Sequence, residues 1–254
     1  MTTGRFIWYE LMTSDVAAAK AFYASVVGWT AQDSQQPGMD YHMWMADGVG
    51  IGGVMQLPDM AAKSGMSSSW LGYISVADID EAAAALTADG GGKYMDQTIP
   101  GVGRFATVSD PQGAPFYVMV PDGAEGTSRA FELGTPGHIG WNEYHGKDGA
   151  AAADFYTKHF GWTRDEPMDM GEMGKYHLFS INGVQAGGLM ANTQVPRPHW
   201  MFYFNIEDIS AAKARVEAGE GKIYHGPVQV PGGQWVVNCG DPQGAMFSLV
   251  GPKA

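Results

Sequence analysis

Two glutamates with aromatic neighbours are the strongest candidates for chemistry in this sequence. Trp8 is followed two positions later by Glu10, and the same spacing recurs at Trp141 and Glu143. Residues two apart in a β-strand lie on one face, so each pair would place an indole beside a carboxylate. A carboxylate in such a setting can act as a general base, which makes Glu10 and Glu143 candidate catalytic residues. Exposure of both glutamates to solvent is the alternative.

Histidines add a second set of candidates, and they are unevenly distributed. His42 follows Tyr41, and the same dipeptide recurs as Tyr176 and His177. Adjacent strand residues face opposite sides of a sheet, so only one member of each pair can enter a cavity. Apart from His42, all of the seven histidines lie in the second half of the chain: His138, His145, His159, His177, His199 and His225.

A metal site is one hypothesis for that second half. His145 lies two residues after Glu143, which would put both side chains on one strand face. His177 and His199 could then complete a set of imidazole and carboxylate ligands, which suit transition metals. Scattered surface histidines explain the same pattern equally well.

The candidate residues belong to a long internal repeat. Trp8 and Gly28 return as Trp141 and Gly161, both 133 residues later. Other matches keep the same order: Gly28-Trp29-Thr30 with Gly161-Trp162-Thr163, Ile51-Gly-Gly-Val-Met55 with Ala186-Gly-Gly-Leu-Met190, and Asp110-Pro-Gln-Gly-Ala114 with Asp241-Pro-Gln-Gly-Ala245. The period far exceeds the roughly 20–50 residues of solenoid units, so the repeat indicates domain duplication.

Each copy alternates between the hydrophobic periods of strands and helices. Asp15 offers a helix cap and Gly28 a helix end. The elements predicted for the first copy are strands at 5–12, 29–34, 40–47, 49–57, 70–76, 93–98, 104–109 and 115–120, helices at 16–27 and 78–88, and turns at Pro37-Gly38 and Asp47-Gly48. This order is a βαβββ unit used twice. We expect a first domain at 1–122, a linker rich in Gly, Ser and Thr at 123–135, and a second domain at 136–254.

Composition narrows the classes of partner. The net charge of −12 argues against nucleic acid and anionic membranes, which attract Lys and Arg. No apolar run has the length of a membrane span and no signal peptide is apparent. With the single Cys239, these features predict a cytoplasmic protein without a disulfide. No nucleotide-binding glycine loop is found, so no cofactor is predicted.

The ordered motifs resemble the vicinal oxygen chelate superfamily. They are an Asp before an Ala-rich stretch that ends in Phe-Tyr, then Gly-Trp, and a closing Asp-Pro-x-Gly, all present in both copies. This superfamily includes glyoxalases, bleomycin resistance proteins and extradiol dioxygenases, and the chain is most similar to its two-domain "glyoxalase-like" members. The resemblance implies an α+β fold in which paired βαβββ units curl mostly antiparallel sheets into cups. Such a cup holds a metal and a small ligand.

The resemblance also locates the family's metal ligands, and this chain lacks them. The family places a His seven residues before the Asp of each helix and a Glu seven residues after the Asp of Asp-Pro-x-Gly. The matching positions here are Trp8, Leu71, Tyr117, Trp141, Met201 and Ser248. None of these is an imidazole or a carboxylate, so we expect no inherited metal site. Trp8 and Trp141 could line a ligand cavity, and the structural alternative is that they close an empty cup as core residues.

Two functions from different classes follow as hypotheses. The first is a metal-free protein that binds small, partly apolar organic molecules in aromatic- and Met-lined cups, as a monomer with an internal pseudo-dimer or a weak homodimer. The second is a lyase, isomerase or hydroxylase-like enzyme with Glu10 or Glu143 as general base. A variant of this hypothesis adds a non-inherited metal in the second domain. A third is an interaction protein with vestigial cups. The expected ligand-binding residues are Trp8, His42, Tyr73, Tyr117, Trp141, His145, His177, Tyr203 and Ser248.

Overall fold

The computed structural model describes residues 4–36, 38–63, 65–123 and 128–253. Pro37 of one predicted turn and residues 124–127 of the predicted linker lie outside the described residues. The elements of the first copy are β1 Phe6–Thr13, α1 Val16–Val27, β2 Thr30–Asp33, β3 Tyr41–Ala46, β4 Val49–Gln56, α2 Asp59–Lys63, β5 Ser69–Ser75, α3 Ile79–Ala88, β6 Gly92–Ile99, β7 Gly103–Ser109 and β8 Pro115–Pro121. The predicted α+β fold with two βαβββ units per copy is confirmed, and α2 is an unpredicted short helix.

The second copy repeats this order with one addition. Its elements are β9 Ile139–Gly146, α4 Gly149–Phe160, β10 Thr163–Arg164, β11 Met168–Asp169, β12 Lys175–Ile181, β13 Val184–Ala191, β14 His199–Asn205, α5 Ile209–Ala218, β15 Lys222–Gln229, β16 Trp235–Gly240 and β17 Met246–Gly251. The addition is β11, which pairs with β12 and is followed by a 3-10 turn at Gly171–Met173.

Local sequence signals set the ends of the helices. Asp15 and Asp148 each accept a backbone N–H with a side-chain oxygen, from Ala18 at 2.9 Å and from Ala151 at 3.0 Å. A carboxylate at this position satisfies an N–H that has no partner inside the helix. Gly28 ends α1 with φ of +89°, in the left-handed region that glycine adopts without strain.

The strands form two curled sheets with the same topology. The first has the order β2-β3-β4-β1-β5-β8-β7-β6, and the second has the order β10-β12-β13-β9-β14-β17-β16-β15. Within each βαβββ unit the first and last strands are parallel, as in β1 with β4, and the remaining pairs are antiparallel. This crossover follows from the helix that separates the first strand from the others.

The described chain divides into two compact units, each drawn from three segments. One comprises residues 4–7, 71–123 and 142–201, and the other the described residues of 8–70, 128–141 and 202–253. Each unit therefore combines one half of the first copy with one half of the second. The predicted domain limits at 122 and 136 stay a prediction. Among the described helices, none has the length and apolarity to cross a membrane.

The repeated Asp-Pro-Gln-Gly turn has a structural role. Asp241 Oδ1 accepts the backbone N–H groups of Gln243 at 3.0 Å and Ala245 at 2.8 Å. Its other oxygen accepts the Tyr23 hydroxyl at 3.1 Å, and Trp70 Nε1 donates to that hydroxyl at 2.9 Å. Burial raises the pKa of the Asp241 carboxyl. The carboxylate thus stabilises its own turn and a buried tyrosine.

Candidate functional site

Glu143 is the centre of a buried polar cluster in the second copy. It lies on β9 opposite Gly188 of β13 and is 9% exposed. The Tyr176 hydroxyl on β12 donates to Glu143 Oε2 at 2.6 Å. Burial of a carboxylate is costly without such a donor, so Tyr176 stabilises Glu143 in this position.

Gly188 makes room for this contact. A Cβ atom built at Gly188 would lie 2.2 Å from Cζ of Tyr176, well inside van der Waals distance. The tyrosine ring therefore packs directly on the glycine backbone and reaches across β13 to the neighbouring strand. The Gly-Gly pair seen in both copies serves close packing, since a Cβ at Gly187 would lie 2.0 Å from the Asn142 carbonyl oxygen.

His145 lies on the other side of the carboxylate. Its Nε2 is 2.8 Å from Glu143 Oε1, although the two atoms are not aligned as a hydrogen bond. Its Nδ1 is 3.1 Å from Asn192 Nδ2. The amide nitrogen can only donate, so Nδ1 accepts and the proton of the neutral ring resides on Nε2, beside the carboxylate.

His199 completes the cluster as the first residue of β14. Its ring stacks on that of His145, with centroids 5.2 Å apart and planes inclined by 16°. His199 Nδ1 lies 3.1 Å from the Arg197 carbonyl oxygen. His199 Nε2 is buried and has no hydrogen-bond partner among the residues that the structure describes. Burial lowers the pKa of His199, so its ring is neutral at pH 7.

His177 does not join this cluster. It follows Tyr176 on β12 and therefore faces the opposite side of the sheet. Burial lowers the pKa of His177, with Arg164 and Lys175 adding to the effect. Over the described ranges, no group of three or more His, Cys, Asp or Glu residues has the arrangement of a metal site.

The family's metal does not fit the positions where its ligands would lie. Leu71 and Met201 are buried apolar residues on β5 and β14. Ser248 donates its hydroxyl to Asn238 Oδ1 at 3.1 Å. Indole and aliphatic groups offer no lone pair to a divalent ion, and the remaining positions are Trp8, Tyr117 and Trp141.

The first copy has a related but different arrangement. Glu10 on β1 is 3% exposed and lies opposite Gly53 of β4. Tyr41 on β3 packs on Gly53, where a Cβ would lie 2.2 Å from the tyrosine Cζ. The Tyr41 hydroxyl accepts a hydrogen bond from Trp8 Nε1 at 2.7 Å. Trp8, Glu10 and Tyr41 thus share one face of the sheet.

Apolar or small residues replace His145, Asn192 and His199 in this copy, whereas Tyr41 keeps the tyrosine of Tyr176. Met12 pairs with Met55 as His145 pairs with Met190, so Met12 corresponds to His145. By strand position, Leu57 corresponds to Asn192 and Ser69 to His199. His42 faces away from Tyr41, and its Nε2 lies 3.1 Å from Asp40 Oδ1.

The other predicted ligand residues form separate groups. Tyr73 and Tyr117 stack on each other with ring centroids 4.2 Å apart. Tyr203 and Ser248 are register partners in parallel strands and both are buried. Trp141 is half-buried on β9, two residues before Glu143.

Sequence reasoning did not select two members of the cluster, Tyr176 and Asn192. The recurring Tyr-His dipeptide was a signal for Tyr176, but it did not show which residue faces Glu143. Asn192 has no counterpart in the repeat, because Leu57 takes its place. Its contact with His145 depends on the pairing of β13 with β9.

Comparison with known proteins gives matches in both copies. The family model described as Glyoxalase/Bleomycin resistance protein/Dioxygenase superfamily matches residues 5–117 and 136–249. CFP32 of Mycobacterium tuberculosis (strain CDC 1551 / Oshkosh), which carries a provisional glyoxylase name, is 32% identical over 251 residues, covering 96% of this chain and 94% of CFP32. The anthracycline biosynthesis protein DauV of Streptomyces sp. (strain C5) is 31% identical over 261 residues, covering 96% of this chain and 91% of DauV.

Solved structures share the fold. The Mn(II)-bound glyoxalase from Novosphingobium aromaticivorans has a TM-score of 0.67 at 15% identity, covering 100% of this chain and 83% of that chain. A variant of homoprotocatechuate 2,3-dioxygenase from B. fuscum has a TM-score of 0.69 at 16% identity, covering 100% of this chain and 72% of that chain. At 15% and 16% identity, these similarities show a shared fold only.

Proposed function

Because the chain belongs to the glyoxalase/bleomycin resistance protein/dioxygenase superfamily, we propose that its second copy binds a small, partly apolar organic molecule without a metal ion. One observation carries the proposal. The buried Glu143 carboxylate accepts a hydrogen bond from Tyr176 and lies 2.8 Å from His145 Nε2. The His145 ring stacks on His199, whose buried Nε2 has no hydrogen-bond partner among the described residues. A buried polar atom without a partner costs about 1–3 kcal/mol, which a ligand that donates to it would recover.

Two further features support a small organic ligand. The net charge of −12 disfavours nucleic acid and anionic membranes as partners. The similarity to DauV, named for anthracycline biosynthesis, also supports an organic ligand.

The metal-free state is supported by the chemistry of the residues. All six inherited positions carry indole, aliphatic, phenol, thioether or hydroxyl groups. Elemental analysis of protein purified without chelator should find well under one equivalent of zinc, nickel, iron or manganese. One equivalent of any of them would overturn the metal-free part of the proposal.

Binding is tested by calorimetric titration with 2-naphthol, an uncharged probe with an apolar body and one hydroxyl. The wild-type chain should bind it, and Glu143→Gln should bind it more weakly. Glu10→Gln is the matched control, because the same change is made at the same strand position of the other copy. If Glu10→Gln lost affinity and Glu143→Gln did not, binding would belong to the first copy and the proposal would be contradicted.

An enzyme is the second candidate function, as a lyase, an isomerase or a hydroxylase-like catalyst. The observation that favours it is the carboxylate–imidazole pair of Glu143 and His145, 2.8 Å apart, since such a pair can move a proton. Glu10 lacks this neighbour, because Met12 takes the place of the histidine. Deuterium exchange into cyclohexanone in D2O, accelerated by the wild-type chain and not by Glu143→Gln, would support catalysis. Equal exchange with both proteins would contradict it.

The proposed assembly is a monomer or a weak homodimer. Sedimentation velocity over a range of concentrations should show the monomer at low concentration. A large oligomer that persists on dilution would contradict this.

A further inference from the structure

We infer that His199 selects the ligand of the second copy by accepting a hydrogen bond at Nε2, so that the site takes an uncharged hydroxyl compound and not an anion. This inference rests on the proposed function and adds the polar group of the ligand. It makes His199 a binding residue with a fixed chemical role.

The hydrogen bond to Arg197 fixes the tautomer of His199. A carbonyl oxygen carries no hydrogen, so at 3.1 Å the Nδ1 atom must donate to it. A neutral imidazole has a single N–H, which leaves a lone pair on Nε2. That atom is therefore an acceptor, and within the described part of the chain nothing donates to it. Burial keeps the ring in this neutral form, because it lowers the pKa of His199.

No donor among the described residues reaches His199 Nε2. The Tyr176 hydroxyl donates to Glu143, and the Asn192 amide donates to His145. A hydrogen bond to His199 Nε2 therefore needs a donor from the ligand. An anion would bring none, and it would meet the Glu143 carboxylate as a like charge.

A hydroxyl fits better than a charged donor. An ammonium group could also donate, but removing a charge from water into a buried site costs far more than removing a hydroxyl.

Two probes that differ in one hydrogen-bond donor test the inference. 2-Naphthol carries a hydroxyl, whereas 2-methoxynaphthalene has the same rings and a methoxy oxygen without a hydrogen. Calorimetric titration of the wild-type chain should show 2-naphthol binding roughly 10-fold more tightly, which is the size of one hydrogen bond to a buried acceptor. 2-Naphthoate should bind more weakly than either.

Two variants separate the tautomer from the packing. His199→Asn keeps an N–H for the Arg197 carbonyl but has no acceptor at the position of Nε2, so the preference for 2-naphthol should fall to about 1-fold. His199→Gln places an amide oxygen near that position and should retain part of the preference. Ser69→Ala, at the corresponding position of the first copy, should leave the preference unchanged. Circular dichroism and thermal unfolding check that each variant is folded.

The outcomes distinguish the inference from the proposed function. If the wild-type chain binds both naphthalenes equally, or if folded His199→Asn keeps the preference, the inference is wrong and the proposed function stands. If His199→Asn fails to fold, His199→Leu takes its place because leucine also has no acceptor at the position of Nε2, and a preference kept by the folded variant would overturn the inference. If the wild-type chain binds none of the probes, the proposed function falls and the inference with it.

Discussion

The two copies of the domain share a buried glutamate on the first strand and differ in what surrounds it. In the first copy, the positions around Glu10 carry Met12, Leu57 and Ser69. In the second copy, the corresponding residues are His145, Asn192 and His199, and His145 Nε2 lies 2.8 Å from the Glu143 carboxylate. The comparison teaches that the fold supplies a glutamate twice, whereas the polar groups that could recognise a ligand occur around Glu143.

The largest effect should come from the glycines that support the tyrosines. Gly188→Ala would place a Cβ 2.2 Å from the Tyr176 ring, so Tyr176 must move away from Glu143. We expect a loss of about 1–3 kcal/mol in the free energy of unfolding from this overpacking, and loss of 2-naphthol binding. Denaturant unfolding and calorimetry measure both.

Gly53→Ala is the matched change in the first copy. A Cβ there would meet the Tyr41 ring at the same distance, 2.2 Å from Cζ. Stability should fall by a similar amount while 2-naphthol binding survives. Equal loss of binding in the two variants would break the distinction between the copies.

Removal of the tryptophans should give the next largest effect. Trp141→Ala should weaken 2-naphthol binding by about 1–3 kcal/mol, because it removes a large apolar side chain two residues before Glu143 on the same strand. Trp8→Ala removes the donor to Tyr41 and should leave the affinity nearly unchanged. Small and equal effects would indicate that both tryptophans are core residues of closed cups.

Replacement of His145 by the first-copy residue should have a smaller effect. His145→Met imitates Met12 and removes the imidazole beside Glu143. We expect the affinity for 2-naphthol to fall by roughly 5-fold, the size of one lost polar contact. Met12→His is the reciprocal control, and it should not change the affinity. A gain of a second binding site in Met12→His would show that the imidazole alone creates a site.

The smallest effect should be a pH dependence of binding. Burial lowers the pKa of His199, and the groups that face it are His145, which lowers it further, and Glu143, which raises it. The acceptor at Nε2 is therefore present at pH 7 and is lost as the pH falls through the lowered pKa of the folded protein. The contribution to stability has the same sign: it is present above the ordinary value of 6.5 and decreases as the pH falls below it, because the unfolded chain then binds the proton more readily. Titration at several pH values should show the 2-naphthol preference declining on the acid side, and a constant preference would contradict the assignment.

The sequence was sufficient for the fold because its signals are local. The carboxylates of Asp15 and Asp148 and the end of α1 at Gly28 act within one helical turn, and the repeat gives each signal twice. The site was predictable in part for the same reason, since Glu143 and His145 lie two apart on one strand. Tyr176 reaches Glu143 and Asn192 reaches His145 only through the pairing of three strands, which includes a register shift between Phe179 and Ser180. No local pattern specifies that pairing.

The most direct test of the account is the number and location of sites for 2-naphthol. Calorimetric titration of the wild-type chain should give one site per chain, lost or much weakened in Glu143→Gln and retained in Glu10→Gln. That result would assign binding to the second copy. Two equivalent sites, or equal losses from the two substitutions, would contradict the central claim that the copies differ in function.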